Sequence, residues 1–194
     1  MNKKQLASQE TIRKILKLAR KKFSNKGYTD TSLEEIVEEL GMTRGALYHH
    51  FKNKKALFLA VLEEVQSELG QHVEASALKV SDTWQQLTEG CLAFVLFANR
   101  KENRRILLTD GPNVVEWEEW RGQDAENSLY HLKEQLEFLQ KEDKIISLDL
   151  DVMAHMISGA LNDLALYLAA QKNIQEANLR LAVESLLRGF GKHG

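Results

Sequence analysis

One cysteine and one proline in 194 residues restrict the choice of fold. A lone thiol, Cys91, cannot close an intrachain disulfide, so the chain is no disulfide-stapled scaffold and suits a reducing compartment. A single proline, eleven glycines and 7% aromatics do not supply the turns and short strands of a sandwich or barrel. No uninterrupted apolar run reaches the roughly 18 residues of a membrane span. The nearest stretch, Val152 to Ala170, is broken by His155, Asn162 and Asp163. The basic opening MNKKQLASQE leads into an amphipathic pattern, unlike a signal peptide, so the expected location is the cytoplasm, with no membrane partner.

Signatures of catalysis are missing as well. There is no P-loop, no dinucleotide fingerprint, no GxSxG and no histidine pair at metal-ligand spacing on one helix. His49 and His50 are adjacent and point apart, while His131 and His155 stand alone. The expectation is therefore no enzyme, no catalytic residue, no cofactor and no metal. Two competing readings are a metal sensor using His155 with Met153 or Met156, and a redox sensor built on Cys91. Each of these positions also suits ordinary core packing, and a buried thiol is inert.

What is present is helical: 43% hydrophobic residues, recurring at steps of three and four, predict an all-α fold with a sizeable core. Charge is split along the chain. Residues 1–55 hold 13 Lys+Arg against 6 Asp+Glu, a net of +7, which leaves 13 basic and 22 acidic residues, a net of −9, in the remainder. That polarity points the amino-terminal end at a polyanion and keeps the rest away from nucleic acid.

The first helix is expected from about Ser8 to Asn25, ended by Gly27. The next opens at Thr31-Ser32, where Glu34 and Glu35 each stand three residues after a hydroxyl, the spacing of a capping box. Its apolar stripe is Leu33, Ile36, Val37 and Leu40. Gly41 then stops the helix, and Thr43 caps a short one through His50. A short helix, a turn tolerant of positive φ and a second helix fixed by apolar residues make a helix-turn-helix, here over residues 32–51. Asn53 caps a further helix whose pattern loosens at Gly70. Beyond it lie a helix opening at Ser81 to Thr83, a break at Asp110-Gly111-Pro112 and a long helix from about Val115. A closing pair is expected at about 150–171 and 174–190.

The stretch Thr11 to Leu62 resembles the amino-terminal domain of the TetR family of bacterial transcriptional regulators. The resemblance rests on ILKLARKKFSNKGY and on SLEEIVEELGMTRGALYHHFKNKKALF at their present spacing, and is densest in TRGALYHHFKNK at 43–54. The rest is similar only in architecture. The resemblance implies a three-helix DNA-binding domain at 1–52 and a larger helical domain at 53–194. The latter binds a small, mostly apolar ligand and forms a homodimer through about 150–190. The partner is double-stranded operator DNA, released when the ligand shifts the pocket helices and changes the separation of the two recognition helices.

Roles follow residue by residue. Thr43 and Arg44 begin the recognition helix, and Arg44 is expected to offer paired donors to guanine or a phosphate. Gly45, unfavourable inside a helix, makes sense where bulk would collide with DNA. Ala46 suits a thymine methyl. Tyr48, His49 and Lys54 are expected at the sugar-phosphate backbone, joined by the hydroxyls and amides of Ser32 and Thr31. Leu47 and Phe51 are assigned to the core. For the ligand cavity the candidates are Phe94, Phe97, Trp117, Trp120, Tyr130, Asn162, Asp163 and Tyr167, an aromatic set with a few polar groups.

Overall fold

The computed structural model describes residues 3–115, 128–171 and 175–192. Its helices are α1 (Lys3–Asp30), α2 (Leu33–Glu39), α3 (Arg44–His50), α4 (Lys54–Ala77), α5 (Thr83–Ala98), a π-helix (Arg105–Asp110), α6 (Gly111–Val114), α7 (Ser128–Lys141), α8 (Leu150–Ala169) and α9 (Glu176–Arg188). Among the described residues the only β-pairing is an isolated bridge between Ile145 and Gly191. Two compact units emerge. The described residues through Val65, together with those from Lys101 to Val115, form the first, and Gln66–Arg100 with the described residues from α7 onward form the second. The change of unit therefore falls inside α4, a continuous helix that supplies residues to both.

In the first unit, Ile15, Ala19 and Phe23 of α1 meet Ile36 of α2, Leu47 of α3 and Leu57, Phe58 and Val61 of α4, all with no solvent exposure. Three aromatic rings centre this core. Phe58 stands edge-on to Phe23 and Tyr28, with centroids 5.1 and 5.2 Å apart. Gly27 does not simply stop α1: it takes φ 87 and ψ 172, and helical hydrogen bonding resumes beyond it to Asp30.

Residues 101–115 complete this unit. Arg20 donates to Asn103 Oδ1 (3.0 Å), Ser24 to the Glu102 carbonyl (2.5 Å) and Arg105 to the Asn25 carbonyl (2.8 Å). Asp110 Oδ2 accepts the Tyr28 backbone N–H at 2.8 Å. At Asp110-Gly111-Pro112, where a break between two helices is expected, the π-helix ends and α6 begins, with no loop between them. Pro112 occupies the first turn of α6, where its fixed φ is compatible with the helix.

In the second unit α5 is buried almost throughout and packs against α7, α8 and α9. Its N-cap is Asp82, whose Oδ1 accepts the Gln85 N–H at 2.9 Å. The Arg180 guanidinium binds the Glu89 carboxylate through two nitrogens, at 2.7 and 3.2 Å, tying α9 to α5. Helix α4 does not end at Gly70 but continues to Ala77, since one interior glycine costs only about 1 kcal/mol relative to alanine. By length and composition α8 would be apolar enough to cross a membrane. Its Met153, Ala154, Ile157, Leu161 and Ala165 are buried, as in a core helix.

Candidate nucleic-acid interface and ligand cavity

Helices α2 and α3 are joined by a four-residue connection, Leu40 to Thr43, that depends on Gly41, at φ 61 in the left-handed region. Gly41 N–H donates to the Glu38 carbonyl and Met42 N–H to the Val37 carbonyl, both at 3.1 Å, closing α2 tightly. Thr43 then caps α3, its hydroxyl accepting the Ala46 N–H at 3.2 Å. Leu47 is wholly buried and fixes the roll of α3. In consequence Thr43, Arg44, Gly45, Tyr48 and His49 are exposed, with Ala46 and His50 half-buried at the flanks. A methyl group added at Gly45 would meet nothing within 4 Å, so no packing inside the protein requires glycine there.

Arg44 is not idle in this surface. Its guanidinium lies 2.8 Å from Glu34 Oε1 and its Cζ 5.6 Å from the centre of the Tyr48 ring. The Ser32 hydroxyl, the Glu34 backbone N–H and Arg44 together hold the Glu34 carboxyl below its ordinary range. Ser32 caps α2 through Glu34 N–H, at 3.1 Å, and donates its own proton to Glu34 Oε2. The expected capping box does not form, because Glu35 turns instead to Lys26 and Lys22 of α1, and Glu39 likewise binds Lys22.

Thr31 and Lys54 sit differently from the sequence expectation. The Thr31 side chain is buried and donates to the Gly27 carbonyl at 2.7 Å, which leaves no hydroxyl on the outer surface. Lys54 Nζ donates to the carbonyls of Thr29 and Thr31, each at 3.0 Å, and lies 4.6 Å from the centre of the Tyr28 ring. Two of its three donors thus cap the end of α1. Replacing Lys54 with methionine is expected to destabilise the chain by about 1–2 kcal/mol, the value of charged donors on carbonyls discounted for partial exposure. Thermal unfolding checks this. Where Lys54 also touches phosphate, the slope of log affinity against log salt falls by about one as well.

The second unit contains a cavity of about 230 Å³ bounded by α4, α5, α7 and α8. Leu87, Gly90, Cys91 and Phe94 of α5 and Leu161 of α8 form its apolar floor, and Glu74 of α4 and Glu134 of α7 stand on its wall. Gly90 allows a close approach: a methyl group there would touch Val73 at 3.5 Å.

Two family models match this chain. Residues 15–61 match that of the bacterial regulatory proteins of the tetR family, and residues 84–190 match the tetracyclin repressor-like C-terminal domain. The chain belongs to the TetR family. It is a helix-turn-helix transcriptional regulator. The regulator AcrR of Shigella flexneri is 40% identical over 104 residues, 53% of this chain and about half, 48%, of AcrR itself. The transposon Tn10 TetC protein of Escherichia coli is 25% identical over 97% of this chain and 94% of its own length. Among solved structures, a TetR-family regulator from Pectobacterium atrosepticum superposes with TM-score 0.77 and 29% identity, covering 100% of this chain and 99% of that one.

In this TetR-family chain the ligand residues expected from sequence are largely dispersed. Of the described candidates, only Phe94 lines the cavity. Phe97 is buried elsewhere in the second unit, its ring tilted against His72 and lying under the Arg100 guanidinium. Tyr130 is exposed and donates to Glu134 Oε1 at 3.0 Å. Asn162 donates to Ser158 Oγ at 3.4 Å, while Asp163 and Tyr167 face solvent. Trp117 and Trp120 lie outside the described residues. The sequence reading missed the α4 contribution, although Val73 and Ala77 follow Leu69 at helical spacing. Burial pushes the Cys91 thiol up to about 12, so it stays protonated and unreactive at neutral pH. No cluster of three potential metal ligands occurs among the described residues.

Proposed function

We propose that this TetR-family regulator is a cytoplasmic repressor, not an enzyme, which binds a palindromic operator as a homodimer. It releases the operator when a small, mostly apolar molecule enters the cavity between α4, α5, α7 and α8. Residues 1–52 serve DNA and residues 53–194 serve ligand and dimer. The observation carrying this reading is the outer face of α3. Thr43, Arg44, Gly45, Tyr48 and His49 are all exposed around a single buried anchor, Leu47, on the basic end of the chain. Arg13, Lys17 and Lys21 add exposed positive charge on α1.

Ser32, Thr43, Tyr48 and His49 position the protein on sugar-phosphate, and Arg44 and Ala46 read bases. For Thr31 the backbone alone remains available. Dimerisation through about 150–190 is supported by an uncovered apolar face: Val152, Met156, Leu166 and Tyr167 of α8 and Leu181 of α9 are all exposed. Large apolar side chains left exposed on one helix side suit an association surface. Two-fold symmetry then sets half-sites about 34 Å apart, or a multiple of that.

Selecting bound sequences from a random DNA pool tests the proposal. A palindrome is the expected product, and a monomer in light scattering with no selected site would refute it. Arg44→Ala should relax preference at one or two positions of each half-site, costing about 1–3 kcal/mol of discrimination. A uniform loss of affinity with base preference intact would assign Arg44 to phosphate instead.

A further inference from the structure

We infer that the cavity between α4, α5, α7 and α8 selects a monovalent organic cation, an aromatic or branched aliphatic body carrying one ammonium group. The inference rests on the reading of that cavity as the ligand site. Among the described lining residues the permanent charges are of one sign, and the single ionisable base, His131, lies against Glu134. Glu74 and Glu134 contribute carboxylates, and no lysine or arginine is among the described lining residues. The nearest cation in sequence to Glu134, Lys133, is engaged by Asp151 at 2.5 Å. Among the described residues Glu134 receives the Tyr130 hydroxyl, at 3.0 Å, and the His131 ring at 3.6 Å.

The lining amides are poor in spare donors. Gln135 Nε2 is spent on the Thr83 carbonyl and on Gln86 Oε1, and Gln86 Nε2 donates to the Val80 carbonyl. A carboxylate or phosphate ligand would meet two like charges and few free N–H groups. A cation gains from both glutamates and from the faces of Phe94 and Phe138. The floor, by contrast, suits an uncharged body: burial keeps the Cys91 thiol neutral, and Leu87 and Leu161 are almost wholly buried beside it. Glu134 and Glu74 are half-exposed or exposed, which places the charge-binding groups at the mouth and the apolar contacts beneath.

The test is calorimetric titration of the full chain with three probes of one shape. These are benzyltrimethylammonium, its uncharged carbon isostere neopentylbenzene, and the phenylmethanesulfonate anion. Benzyltrimethylammonium is expected to bind about tenfold more tightly than the isostere, with the anion weakest, as charge attraction at a partly wet mouth permits. Glu134→Gln should erase most of that advantage without changing the isostere's affinity. Ala77→Phe, which fills the cavity, should weaken all three probes. Equal or tighter binding of the isostere or the anion overturns the charge selection while leaving the cavity as a ligand site. Binding by none of the three, or binding untouched by Ala77→Phe, overturns the cavity reading itself.

Discussion

Phe58→Ala is expected to lower the free energy of unfolding by about 3–5 kcal/mol. Operator binding should then be lost at temperatures where the native chain still binds. Phe58 has no exposed surface and its ring is held edge-on by both Phe23 and Tyr28. Those partners come from α1, so truncation leaves a hole where α1 and α4 meet, and neither helix can close it without dragging the other. The cost combines lost burial with the residual cavity and lost edge-to-face contacts of about 0.5–1.5 kcal/mol each. Denaturant unfolding followed by circular dichroism measures it. A loss below 1 kcal/mol would mean that the core around Phe58 repacks.

Gly27→Ala is the second large effect. At φ 87 and ψ 172 the backbone occupies a region essentially reserved for glycine, and an L-residue there costs on the order of 1–3 kcal/mol. Space is not the obstacle. A new methyl carbon would sit 3.4 Å from Arg105 Cδ and from Asp110 Oδ2, an ordinary contact. The penalty is therefore torsional, and its relief would turn the following peptide, pulling Tyr28 N–H from Asp110 and the Gly27 carbonyl from Thr31. The expected result is a lower melting temperature with an unchanged denaturant m-value. A variant as stable as the parent would show that this peptide flips freely.

The helix-turn-helix was legible in the sequence because its determinants are local. Gly41 meets a demand for positive φ, Thr43 and Asn53 each accept an N–H three residues on, and Leu47 is the one apolar residue of its helix turned inward. The capping role of Lys54 was hidden because its partners, Thr29 and Thr31, are 25 and 23 residues away, and lysine at a helix start reads equally well as a phosphate anchor. The same limit hid the function of Asp110, whose partner amide is 82 residues distant.

The cavity was harder still. The exposed side of α8 mixes Asp151, His155 and Asp163 with apolar Val152, Met156, Leu166 and Tyr167, so apolar periodicity alone does not say which side is inward. Asp163 and Tyr167 proved to share the exposed side with Met156, whereas Ser158 and Leu161 line the cavity. Helix α7 shows a clear amphipathic pattern, yet its acidic Glu134 reads as solvent-facing until the neighbouring helices are in place.

The π-helix at Arg105–Asp110 carries a consequence for insertions and deletions. Its carbonyls bond five residues ahead instead of four, so it holds one residue more than an α-helical turn of the same hydrogen-bonding path. Deleting a single residue between Arg105 and Asp110 would let the segment relax to α-helical winding, and because the wider turn already absorbs the extra residue, the residues on either side would keep nearly the same angular positions. Asp110 would then still face the Tyr28 amide while Arg105, at the start of the segment, kept its hold on Asn25. The wide turn thus acts as slack, letting two anchors on one short segment grip the same helix end with one residue more than an α-helix would need.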